Sequence, residues 1–334
     1  MEGTVSYLVR RLLWVPLILV IVSAFTFTIA RLGPGDPVSI AAGQFRDPEA
    51  FARVKEARGL DKPIYEQYAL YMKAVLTKGD FGISYRYKDY SVSEIIFPSM
   101  WHSLQYNTVA LLITILVGIP AGIFCARLQG TWLDPFIISA LLFLSSLLTL
   151  VLVPFMLLYG ALKTGLVPAN GWPRDCRVQL PFLGDAYQCI GVISPEAIIP
   201  LIALSIGGFA VWARYTRAFT LDVLKEDYVR TARSKGLSET TIMRRHVLRN
   251  AMLPLSTMVA FSMVGLLEGS YFVETLTGVP GIGRLTFESI GGRDYDMIMA
   301  LTLVGTTAFV VMSITVDIAY TFIDPRIKYG SRSR

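Results

Sequence analysis

Charge is scarce in this sequence. Asp, Glu, Lys and Arg make up 17% of its 334 residues, where a soluble globular chain carries about 25%. The deficit is confined to stretches with no charge at all: residues 12–30, 103–126, 135–162, 197–213, 250–267 and 297–316. A helix needs about 20 apolar residues to cross the hydrocarbon layer, and these six segments meet or approach that length. Six such segments in one chain exclude a soluble globular protein and predict an all-α integral membrane protein with six transmembrane helices. The first segment is longer than the apolar core of a signal peptide, about 7–15 residues. It ends in Arg31-Leu32-Gly33-Pro34-Gly35-Asp36, with no small-x-small cleavage pattern, so a retained helix is expected.

Histidine and cysteine are also rare, at two and three residues. His102 falls at the outer edge of the second span, and His246 lies among Arg244, Arg245 and Arg249. No pair has metal-ligand spacing, and no Ser-His-Asp set can be built. A phosphate-binding loop needs Gly-rich backbone followed by Lys and a hydroxyl residue. The run Gly278-Val279-Pro280-Gly281-Ile282-Gly283-Arg284-Leu285 has the glycines and lacks the Lys-Ser/Thr. The chain is therefore expected to hold no metal and no cofactor, and not to be an enzyme. Internal repeats, which many ion-coupled carriers show, are missing too. Cys125 lies near the inner end of the second span as a free thiol. Cys176 and Cys189 share the loop between the third and fourth spans.

Orientation follows from Lys and Arg in short loops, which favour the cytoplasm. Residues 214–249 hold nine Lys or Arg against four Asp or Glu, and the tail adds Arg326, Lys328, Arg332 and Arg334. Both read as cytoplasmic, and six spans then put the N-terminus inside, as Arg10 and Arg11 suggest. The net charge of +6 is thus mostly topology and calls for no nucleic acid. The Cys176–Cys189 loop falls outside, in an oxidising space where a disulfide can form.

Residues 32–99 form an outer segment of balanced charge. Residues 47–58 carry charges at helical spacing, and residues 62–76 place Ile64, Tyr68, Tyr71, Met72 and Val75 on one helical face. Gly79-Asp80-Phe81-Gly82 then breaks the pattern, which predicts a helical cap on the outer surface. The resulting organisation is 1–31 for the N-terminus and first span, 32–99 for the cap, 100–324 for a core with five further spans, and 325–334 for a cytoplasmic tail.

The basic inner segment predicts a helix–Gly–helix elbow at about 221–249. Thr220 can cap a helix running through Leu221, Val223, Leu224, Tyr228 and Ala232. Arg230, Arg233 and Lys235 precede Gly236, as suits a helix C-terminus. Ser238 can cap the second helix, with Glu239 near its start and Ile242, Val247 and Leu248 on its apolar side. Such an elbow can be an interfacial hairpin held by anionic lipid, or a docking element for a protein. The small residues around the turn favour docking.

The stretch Glu226-Asp227-Tyr228-Val229-Arg230-Thr231-Ala232-Arg233-Ser234-Lys235-Gly236-Leu237-Ser238 resembles the coupling-loop motif E-A-A-x-x-x-G of ABC importer permeases. Arg249-Asn250-Ala251-Met252-Leu253-Pro254 is similar to its closing Leu-Pro, at the spacing of the dipeptide/oligopeptide/nickel branch. Leu32-Gly33-Pro34-Gly35-Asp36-Pro37, Gly59-Leu60-Asp61-Lys62-Pro63, Val273-Glu274-Thr275 and Asp324-Pro325-Arg326 fit the same family in order, from about Tyr7 to Tyr329. The sequence departs from it at 174–189, a two-cysteine insertion, and at Glu268, where a small residue is usual. The resemblance implies a type I ABC importer permease fold in a bacterial inner membrane. It also implies a second homologous permease, two cytoplasmic ATPases that bind ATP and Mg, and an extracytoplasmic solute-binding protein delivering di- or oligopeptides. The elbow residues Glu226, Asp227, Tyr228, Arg230, Thr231, Ala232, Arg233, Lys235, Gly236, Leu237 and Ser238 would then meet an ATPase.

Polar groups inside a membrane are functional candidates. Here they are Asn107, Glu268 and Asp317. Asn107 suits hydrogen bonding between helices, with a place on the solute path as its other reading. Asp317, near the inner end of the last span, suits an ion pair with a nearby Lys or Arg. Glu268 follows Asn250 by 18 residues, roughly 27 Å of helix at about 1.5 Å per residue. It therefore belongs at the outer mouth, as the best candidate for lining the path. The competing reading is an ion-coupled carrier with Glu268 or Asp317 as its proton site.

Overall fold

The thickness of the hydrocarbon layer sets the lengths of the main helices. In a computed structural model that describes residues 2–32, 62–87, 90–147, 149–173 and 191–323, five helices are long and apolar enough to cross a membrane. They are α1 (Glu2–Leu32), α3 (Val92–Arg127), α6 (Ile198–Leu224), the composite α8 (Glu239–Leu267) and α11 (Tyr295–Ile323). The remaining expected span, 135–162, is a bent pair and not a straight rod. Helix α4 (Leu133–Ser146) meets α5 (Thr149–Met156, continued by a π turn Leu157–Lys163) at 87°. Two adjacent serines stand just before the break. Ser145 and Ser146 turn their hydroxyls back onto the carbonyls of Leu142 and Phe143, at 3.0 and 2.7 Å, and side-chain bonds of this kind loosen a helix where it ends.

Helix α3 starts earlier than its uncharged stretch. Ser91 and Glu94 form a reciprocal capping box, with Glu94 N–H donating to Ser91 Oγ and Ser91 N–H donating to Glu94 Oε2. At 36 residues α3 is about 54 Å long, well beyond the layer of about 30 Å. It therefore extends beyond the layer, and the boundary at 99/100 falls inside this helix. The cap helix α2 (Ile64–Lys78) lies against the C-terminal half of α1. Tyr68 bonds Ser23 at 2.8 Å, and the rings of Tyr68 and Tyr71 pack on Phe27. The helix expected at 47–58 lies outside the described residues, as do Cys176 and Cys189.

Helices α3 and α6 cross most closely. Gly118 faces Trp212, Gly122 faces Ala213 and Thr216, and Gly208 faces Thr114. Small residues let membrane helices approach through their backbones. At one end of the bundle Arg11 of α1 forms an ion pair with Asp317 of α11 and donates to Ser313, the partnership expected for Asp317. Nearby polar order comes from Asp134, buried at the start of α4, which takes a bidentate pair from Arg217 of α6 at 2.6 and 2.5 Å.

Thr220 is no cap. It lies inside α6 with no exposure, next to buried Leu221. The apolar stripe of α6 runs on through these residues, so the chain stays helical to Leu224. The break comes at Glu226, whose backbone is extended at φ −66° and ψ 145°. The first elbow helix is thus α7 (Asp227–Ser234).

Candidate functional site

The elbow is built around a left-handed residue. Gly236 has φ +76°, a conformation that costs other residues about 1–2 kcal/mol. Its N–H bonds the Arg233 carbonyl and the Leu237 N–H bonds the Ala232 carbonyl, at 2.9 and 3.3 Å. This is the paired C-terminal arrangement that satisfies the last carbonyls of a helix. Two residues later Ser238 caps the next helix, accepting from Thr241 N–H. Arg233 and Glu239 then clasp across the turn through two hydrogen bonds of 2.8 and 3.2 Å. Arg233, counted above as part of a basic surface, is therefore also a brace that holds the two elbow helices.

The apolar side of the elbow is already covered. Val229, Ala232, Ile242, Met243 and Val247 are buried together, with Ile123 of α3 and Val223, Leu224 and Leu248 around them. A lipid-held hairpin needs that face for the membrane, so its use inside the chain counts against the lipid reading. Ala232 belongs to this core and is turned inward. Glu226, Asp227, Tyr228, Arg230, Thr231, Arg233, Lys235, Gly236, Leu237 and Ser238 are all exposed. Leu237 is 40% exposed, an apolar knob beside a glycine whose Cβ position has nothing within 4 Å among the described residues. The elbow thus offers a rigid, open, mixed surface away from the bundle.

At the other end, Asn107 and Glu268 come together through the backbone. Asn107 donates to the Leu266 and Glu268 carbonyls at 3.0 and 2.5 Å, closing the end of α8, where a 3₁₀ turn spans Gly265–Leu267. Asn107 therefore makes the interhelical bonds expected of it. The Glu268 carboxylate is exposed and lines a cavity of about 440 Å³ between the end of α8, the amphipathic α10 (Ile282–Gly292) and α11.

Two buried carboxylates that sequence reading passed over organise this end of the bundle. Glu274 lies on α9 (Tyr271–Thr277) and is 3% exposed. It accepts from Ser103 Oγ of α3 at 2.8 Å, from Ser270 N–H at 3.1 Å and from Arg284 N–H at 3.0 Å. Ser103 in turn accepts from Ile282 N–H. The amides that open α10 are thus taken by Glu274 and Ser103, which settles why the Gly278–Leu285 run cannot cradle a phosphate. Burial pushes the Glu274 carboxyl upward against the pull of these hydrogen bonds. Gly281 is needed for room, since a Cβ there would lie 2.5 Å from Glu274 and Ser103. Asp294 does the same service for the cap. It accepts from Ser84 Oγ and from the N–H groups of Tyr85, Arg86 and Met297, and so ties the 84–87 loop to the start of α11. The Val273-Glu274-Thr275 motif was visible in sequence, but its partners were not. Glu274→Ala orphans three donors at about 1–3 kcal/mol each. A loss of at least about 3 kcal/mol is expected, with Glu274→Gln intermediate. Thermal unfolding of the purified chain in detergent measures it, and an unshifted midpoint for Glu274→Ala would contradict this network.

Residues 118–329 match the family described as binding-protein-dependent transport system inner membrane component. Residues 4–100 match the N-terminal part of such membrane components. The chain is 36% identical to the dipeptide transport system permease protein DppB of Alkalihalophilus pseudofirmus, with 97% of this chain and 99% of that one covered. It is 32% identical to the oligopeptide transport system permease protein OppB of Haemophilus influenzae and 35% identical to the glutathione transport system permease protein GsiC of Escherichia coli K12, with the same coverage. Among solved structures, a chain of the MetNI methionine ABC transporter in an inward-facing form matches with a TM-score of 0.53 and 14% identity. The match covers 69% of this chain and 96% of that one.

Proposed function

This chain belongs to the family of binding-protein-dependent transport system inner membrane components, and from that premise we propose that it is a permease subunit of an ATP-driven importer of di- and oligopeptides. Its relatives are named for dipeptide, oligopeptide and glutathione transport, which share a peptide-type backbone. The observation that carries the role is the elbow, with its apolar side covered by the chain's own helices and an open face around Gly236 and Leu237. In this reading the elbow seats in a cytoplasmic ATPase, and ATP-driven closure of two ATPases rocks this chain against a second permease. Both termini are cytoplasmic. An outer binding protein delivers the peptide, and ATP and Mg are held by the ATPases. Asp317, already engaged by Arg11, gives the proton-carrier alternative no support. Co-expression with the candidate ATPases tests the role. The expected result is a stable complex whose ATP hydrolysis rises with peptide-loaded binding protein. A chain that takes up peptide alone on a proton gradient would refute it.

The same topology leads to a disulfide between Cys176 and Cys189. The described residues that flank 174–190 lie together: a Cβ at Gly191 would lie 2.4 Å from the Trp172 ring. Gly171 N–H bonds the Thr277 carbonyl and Gly191 N–H bonds Gln105, at 2.7 and 3.1 Å. With both flanks anchored, closing a loop of about 15 residues contributes roughly 3 kcal/mol in the chain-entropy model. Alkylation of the unreduced, denatured protein should label Cys125 alone, and labelling of all three cysteines would refute the bond.

A further inference from the structure

We infer that the cavity beside Glu268 is a subsite for one apolar residue whose ammonium group is held by the Glu268 carboxylate, so that this chain itself discriminates among the peptides reaching it. The inference deepens the importer role above and rests on it.

The cavity measures about 440 Å³, within the range of about 300–1,000 Å³ that small-molecule sites occupy. Its walls come from separate elements, with Leu267 from α8, Ile282 from α10, and Ile298, Leu301 and Phe309 from α11. They are aliphatic or aromatic and suit a hydrocarbon side chain. Its polar side chains are Glu268, Tyr271, Thr286, Thr302 and Thr306. Thr286 and Thr302 donate their hydroxyl hydrogens to the carbonyls of Ile282 and Ile298, at 2.7 and 2.9 Å, and so show oxygen lone pairs to the cavity. Glu268 adds a carboxylate at the rim. Among the described residues, no Lys, Arg or His lines the cavity. A cavity with one carboxylate at its rim and no cation among its described lining residues attracts an ammonium group and disfavours a carboxylate. It would therefore receive the amino end of a peptide and not its carboxyl end.

Gly305 gives a clean probe of the apolar part. It lines the cavity, and among the described residues nothing lies within 4 Å of a Cβ built on it, so Gly305→Leu starts its side chain from open space in the cavity wall. The experiment uses the whole complex in vesicles, with the partner permease, ATPases and binding protein. Because the binding protein is the same throughout, its own preferences cancel in ratios. Glu268→Gln should lower the ratio of leucylglycine uptake to N-acetyl-leucylglycine uptake by about tenfold or more, the factor of one decade in an equilibrium constant. Gly305→Leu should lower the ratio of phenylalanylglycine to glycylglycine uptake by a similar factor. Unchanged ratios would overturn the inference. So would equal losses for both members of each pair, which would mark Glu268 as a structural partner of the second permease. A parent complex that hydrolyses ATP but moves no peptide would instead remove the importer role, and the subsite with it.

Discussion

Gly236→Arg is expected to insert into the membrane, keep its fold and lose uptake by at least about tenfold, with ATP hydrolysis either lost from the complex or no longer raised by substrate. Among the described residues nothing lies within 4 Å of the added Cβ, and position 236 is exposed, so the arginine side chain has solvent to extend into. The left-handed backbone, at φ +76°, adds about 1–2 kcal/mol of local strain. That is too little to unfold a helix pair braced by Arg233 and Glu239 and by the Val229–Ile242 core. What the arginine changes is the outer face, where a long charged side chain would stand beside Leu237. Gly236→Asn is the control, because asparagine tolerates the left-handed region and is shorter. Recovery of most uptake by Asn would assign the Arg defect to bulk on the docking face. Measured uptake equal to the parent in Gly236→Arg, with the ATPase attached, would return the elbow to the lipid-surface reading.

Gly122→Leu is expected to fail before assembly. A Cβ at Gly122 would lie 2.4 Å from the Ala213 carbonyl oxygen and 2.6 Å from the Thr216 Cβ. Neither atom can swing away, since one is backbone and the other is a β-branched stem inside α6. The helices must separate, which also opens the contacts of Gly118 with Trp212 and Gly208 with Thr114. Overpacking one side chain costs about 1–3 kcal/mol even in adaptable cores, and here three contacts along one crossing give way together. The purified variant should lose its monodisperse peak in detergent, and Gly122→Ala should already unfold at lower temperature. A variant with leucine at 122 that behaves like the parent would contradict the close crossing of α3 and α6.

Features set by local chemistry were legible in the sequence. Uncharged runs marked the spans, because a charge inside hydrocarbon is costly wherever it falls. Gly236 and Ser238 were legible for the same reason: a left-handed turn and a helix cap each depend on the residue itself. Thr220 shows the limit, since a threonine that could cap a helix could equally continue one, and only the buried stripe beside Leu221 decided it. Features made by distant partners stayed hidden. Glu274 meets Ser103 across 171 residues of sequence, and Asp294 meets Ser84 across 210. The 87° bend in the third span breaks an uncharged run that reads as continuous in sequence. Arg233 looked like surface charge because its clasp with Glu239 exists only once Gly236 has turned the chain. The outer role of Glu268 was suggested by its distance from Asn250, whereas the cavity it borders needed three separate elements to form.

The central claim is that the elbow is the part of this chain that touches an ATPase. Single cysteines at Leu237 and Ser238, and a third at Tyr65 on the cap, which is 72% exposed, can be compared by short bifunctional cross-linking in the assembled complex. The account predicts that the first two form a covalent product with the ATPase subunit, that Tyr65 does not, and that the cross-link stops uptake until it is reversed. Absence of any ATPase product from Leu237 and Ser238, in a complex that still transports, would contradict it.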